Sequence, residues 1–81
     1  MFYTADMDER IECREDVMLG KPVVVGTRIT VEFILESLAA GESIADFVSE
    51  YPVTREDVLA ALAYAAKSLH SEFVFPVGER N

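Results

Sequence analysis

The chain predicts a mainly α fold in which two short strands precede three helices in a helix-turn-helix arrangement. Three observations carry this. Apolar residues recur at helical spacing over three stretches, each stretch follows a Ser or Thr, and a valine run bracketed by Pro22 and Gly26 lies upstream of all three. The 81 residues make one domain. A chain of this size buries roughly 60–65% of its unfolded surface. Its 51% apolar content is enough for a packed core.

Residues 1–9 are polar and acidic after Met1-Phe2-Tyr3 and read as a flexible N-terminal arm. Ile11 to Arg14 reads as a short strand, Glu15 to Leu19 as a connection closing at Gly20, and Pro22 to Val25 as a second strand. Two strands alone are marginal in water, so they must lie on the helices or pair with another chain. Thr30 offers its hydroxyl to the first helix, whose apolar face is Val31, Ile34, Leu35 and Leu38 and which Gly41 ends. The second helix starts after Ser43, with Asp46 at capping-box distance. It buries Ile44, Phe47, Val48 and Tyr51 until Pro52 forbids continuation. The third starts after Thr54, with Asp57 three residues on, and runs to about His70 along Val58, Leu62, Ala65 and Leu69. The domain therefore spans 10–70, and 71–81 form an extended C-terminal tail.

Charge narrows the function. The formal net charge is −8. Residues 1–30 hold four bases against six acids, and residues 31–81 hold three against nine, so the helical part is the acidic part. Such a field favours basic partners and opposes general attraction to nucleic acid. Arg10, Lys21 and Arg28, with Arg14, make the one candidate basic patch, and a two-fold dimer would double it for phosphate contact. The alternative is that they cap helices, pair with nearby acids or are solvated.

No catalytic set assembles: His70 has neither nucleophile nor carboxylate at helical spacing, and Glu56 and Asp57 suit a helix N-terminus. The chain reads as no enzyme, with no cofactor and no metal. Lys21 stands six residues before Thr27, so Gly20-Lys21…Gly26-Thr27 lacks the Lys-Ser/Thr step of a phosphate loop. Cys13 is alone and can form no intrachain disulfide. The longest uncharged run, Val58 to Ala66, is far short of the ~20 residues that span a bilayer. No secretory leader pattern precedes Asp6, so a cytoplasmic protein is expected.

Two features point to partners. The third helix is charge-free for nine residues, with Leu59, Ala60, Ala61, Ala63 and Ala66 outside its main stripe, and Phe33 lies nearly opposite the stripe of the first helix. Together these predict a homodimer surface, unless the strands and tail cover them. In the tail, Phe73, Phe75 and Val77 share one side of an extended segment that Pro76 limits to a sheet edge, with Arg80 beyond.

The stretch Gly20-Lys21-Pro22-Val23-Val24-Val25-Gly26-Thr27-Arg28-Ile29-Thr30 resembles the opening of domain of unknown function family 433. The likeness spans roughly Arg10 to His70 and recurs at the Tyr51-Pro52-Val53-Thr54 junction. That junction is one residue shorter than the family's Tyr-Pro-x-hydrophobic-Thr form. The resemblance implies a homeodomain-like trihelical core and a Vap-type antitoxin. Its partner would be a toxin of PIN-like nuclease fold, with autoregulation through operator DNA. Phe73, Phe75 and Val77 would anchor on the toxin, and Arg80 would reach its metal-binding carboxylates. A stand-alone transcriptional regulator and a structural module without DNA contact are the competing classes. In a DNA reader, the third helix would open toward the bases with Arg55, Glu56, Asp57, Ala60 and Ala63, which is poor major-groove chemistry.

Overall fold

A computed structural model describes residues 9–72. Strands β1 (Ile11–Cys13) and β2 (Pro22–Val24) pair antiparallel, with Ile11 opposite Val24 and Cys13 opposite Pro22. Helices α1 (Val31–Ala39), α2 (Ile44–Glu50) and α3 (Arg55–Glu72) follow. The sheet and α2 both pack on α3, and α1 lies against α3 and β2. The predicted arm 1–8 and the tail anchors Phe73, Phe75, Val77 and Arg80 lie outside the described residues.

The Gly-Thr-Arg segment closes a tight turn behind β2. Gly26 takes φ +81°, which a side chain resists. The Thr27 hydroxyl donates to the Val24 carbonyl at 2.9 Å and accepts from the Ile29 N–H at 3.0 Å. Thr30 then caps α1, its hydroxyl accepting from the Phe33 N–H at 2.9 Å. The far end of α1 is a Schellman motif. Gly41 has φ +105°, its N–H donates to the Leu38 carbonyl, and the Glu42 N–H donates to that of Ser37.

The short junction between α2 and α3 is a γ-type turn about Pro52, in which the Val53 N–H donates to the Tyr51 carbonyl at 2.7 Å. It drops Val53 into the core. Thr54 and Asp57 then form a full capping box: the Asp57 N–H donates to Thr54 Oγ1 at 3.1 Å, and the Thr54 N–H to Asp57 Oδ2 at 2.9 Å.

The core centres on Phe47, Ile34 and Val58, all fully buried, with Val24, Val31 and Val53 around them. On α3 the buried face runs through Val58 and Ala61, with Ala60 beside it. The predicted stripe ended on Leu69, yet Leu69 is 57% exposed. Ala60 and Ala61, expected to serve a partner, are instead buried within the chain's own core, where alanines let the strands and neighbouring helices approach closely.

Candidate interaction surface

Four pieces of surface carry the predicted and the unpredicted functional residues. The first is the basic set. Tertiary packing distributes it among acids. Arg10 Nη1 sits 3.0 Å from Asp57 Oδ1, so β1's entry is tied to the first turn of α3. Lys21 Nζ donates to Glu32 Oε1 at 3.2 Å. Arg14 grips Asp16 through two hydrogen bonds, at 2.9 and 3.2 Å. That contact and the charges around it raise the Arg14 pKa and lower that of Asp16. Lys21 and Arg28 do share one concavity, but Glu15 and Asp16 line it with them. The patch is of mixed sign.

The second piece is the expected dimer face. Phe33 is 38% exposed but stacked: its ring meets Tyr51 edge-on at 5.3 Å and Phe47 at 5.8 Å. Phe47 and Tyr51 are themselves 4.6 Å apart, so Phe33 closes an aromatic trio over the α1–α2 corner. What remains on α3 is Leu59, 40% exposed, with half-buried Ala63 and exposed Ala66, one helical strip apart from Phe33's trio.

The third is acidic. Glu42, at the α1–α2 corner, is half-buried, and withdrawal from water raises its pKa, reinforced by Glu50 and Asp46 nearby.

The fourth was not legible as a surface in the sequence. Pro22, Val31, Leu35, Tyr64, Ala65 and Leu69 line an open apolar groove of about 350 Å³ between α1 and the second half of α3. The Lys21–Glu32 pair stands at its margin. One of its lining residues, Tyr64, has its hydroxyl 3.8 Å from the exposed Cys13 Sγ, and that contact, then burial, raises the Tyr64 pKa. Beside the groove, Met18 and Leu19 both adopt positive φ, 50° and 58°, and Leu19 is 92% exposed. The one sequence sign was a pair of large apolar residues in a connection, just before Gly20.

Among the described residues no three carboxylate, imidazole or thiol groups converge on a possible cation site. No described helix is long and apolar enough to cross a membrane.

The fold and these surfaces define a small, mainly helical domain with an antiparallel strand pair at its N-terminal side. The family "Protein of unknown function (DUF433)" matches residues 11–65, and the chain belongs to it. It is similar in fold to a crystal structure of a DUF433 member protein from Anabaena variabilis ATCC 29413. The two share a TM-score of 0.73 and 24% identity over 86% of this chain and 70% of that one. No curated protein matches the sequence.

Proposed function

We propose that this chain is an antitoxin-like protein that binds and neutralises a PIN-type nuclease, acts as a homodimer and represses its own operon only weakly. The carrying observation is the acidic corner where Glu42 meets Asp46 and Glu50 of α2: withdrawal from water and, after it, these neighbouring carboxylates raise the Glu42 pKa. Holding like charges together opposes folding, and a basic protein surface relieves that repulsion on binding. A nuclease's RNA-binding face is such a surface. The family resemblance supplies the toxin class, and the tail residues Phe73, Phe75, Val77 and Arg80 are assigned as its inhibitory clip.

The homeodomain-like reading of α1–α3 places the start of α3 where a DNA reader contacts bases. There Glu56 and Asp57 are acidic, and Asp57 is already committed to Thr54 and Arg10. DNA contact is therefore assigned to Lys21 and Arg28, which share one concavity. Glu15 and Asp16 line the same concavity, so that contact is weak, and a stand-alone regulator is the runner-up reading.

The test is inhibition of the nuclease encoded beside this gene. Reversing Glu42, Asp46 and Glu50 to Lys should weaken inhibition at least tenfold with helicity retained, and deleting residues 73–81 should abolish it. Undiminished inhibition by both proteins would overturn the reading, as would a neighbouring gene of another class.

A further inference from the structure

The left-handed turn at Met18–Gly20 and the apolar groove adjoin on one face, and we propose that this face binds a second copy of the chain. Each copy's Leu19 enters the other's groove. The inference keeps from the proposed function only the dimer; it needs neither toxin nor DNA.

The knob is built. Met18, Leu19 and Gly20 take φ 50°, 58° and 86° in succession, a left-handed run that only glycine adopts without resistance. Hydrogen bonds hold it: the Gly20 N–H donates to the Val17 carbonyl and the Lys21 N–H to that of Met18, both at 3.1 Å. Its consequence is that Leu19, at 92%, is the most exposed large apolar side chain among the described residues.

The hole is beside it. Lys21 borders both the concavity under Leu19 and the groove, and its ammonium is held at the groove margin by Glu32. The groove floor is aliphatic and aromatic: Pro22, Val31, Leu35 and Ala65, with the Tyr64 ring. Its 350 Å³ is more than one leucine side chain fills, leaving room for Met18 at the mouth.

A knob and a hole side by side on one face satisfy each other twice under a two-fold axis, and the assembly closes. Charge agrees with that symmetry. The concavity under Leu19 also carries Glu15 and Arg28, one charge of each sign, so each can face its opposite across the axis, while Asp16 and Lys21 keep their partners Arg14 and Glu32. The rest of the chain opposes association, since each copy carries −8. Added salt should therefore tighten this dimer, whereas it would loosen a complex with a basic partner.

The experiment is sedimentation equilibrium on the full chain from low micromolar to submillimolar concentration, at low and high salt. Wild type should reach twice the chain mass and dimerise more tightly in high salt. Leu19→Gly removes the knob and suits the left-handed backbone, so far-UV circular dichroism should be unchanged while the dissociation constant weakens on the order of a hundredfold or more. Leu69→Glu, at the exposed groove margin, should do the same, and Leu59→Glu should leave the dimer intact. A dimer that survives Leu19→Gly or Leu69→Glu overturns the proposal. So does dispersal by Leu59→Glu, which would move the interface to the α3 strip while leaving the dimer reading in place. Dispersal only on deleting residues 73–81 would make the chain's own tail the occupant. A wild-type monomer at every concentration refutes both interface and dimer, and nuclease inhibition, scored separately, is untouched by either result.

Discussion

Asp57→Ala removes two interactions at once. One carboxylate oxygen accepts the Thr54 N–H in the capping box, and the other holds Arg10 from the far end of the chain. Loss of a capping interaction costs about 1 kcal/mol. The Asp57 side chain is 14% exposed and Arg10 35%, so water screens the ion pair and its share is held to roughly 0.5–1 kcal/mol. The sum is about 2 kcal/mol, which for a domain of this size lowers Tm by on the order of 8–16 °C. Asp57→Asn keeps an acceptor for Thr54 and loses the charge, so it should cost about half as much. Arg10→Ala should cost at least as much as Asp57→Asn. In the double-mutant cycle of Arg10→Ala with Asp57→Asn, the coupling should be about 0.5–1 kcal/mol. The assay is thermal and urea unfolding followed by circular dichroism at fixed protein concentration. A cost for Asp57→Ala below about 0.5 kcal/mol would refute the reasoning, because the capping box alone should exceed it. Strict additivity in the cycle would refute the role of Arg10 as the strap between β1 and α3.

Two further outcomes follow from the charges. Glu42 has a raised folded-state pKa, so its neutral form is favoured in the fold; its contribution is present below the ordinary carboxylate range and lost as pH rises through the folded pKa. Glu42→Gln should therefore raise Tm at pH 7, with the gain shrinking toward pH 4; a gain that is constant with pH would sink that account. On DNA, Lys21→Ala and Arg28→Ala should each lower the slope of log affinity against log salt by about 0.9, and Arg55→Ala should leave it unchanged. The reverse pattern in a titration would restore the start of α3 as the contact.

How much of this was legible in the chain depends on the range of the interaction. The helix limits at Thr30, Gly41, Ser43, Pro52 and Thr54 were read from residue types, because caps and stops act over three or four residues and owe little to the rest of the fold. The strand between Pro22 and Gly26 was legible for the same reason, though its last residue, Val25, lies past the end of β2, with its N–H still donating to the Arg10 carbonyl at 2.8 Å. The amphipathic face of α1 was equally plain, since Val31 and Ile34 are buried as their spacing requires.

What sits on those elements was decided elsewhere. Arg10 and Asp57 are 47 positions apart, and nothing local pairs them; β1 must first lie along α3. Phe33 looked unpartnered on a helical wheel, which omits α2, and it is α2 that brings Phe47 and Tyr51 beneath it. Ala60 and Ala61 looked like a surface for another chain until the packing of α3 enclosed them. Leu19 is the plainest case. Its residue type argues for burial, but a left-handed turn bounded by the Val17 and Met18 carbonyls points it into solvent, and only the closed turn and the neighbouring groove reveal that direction. Local hydrogen-bond chemistry is written in residue order; which faces meet depends on how three helices and two strands divide one small core, and that is settled only when they pack.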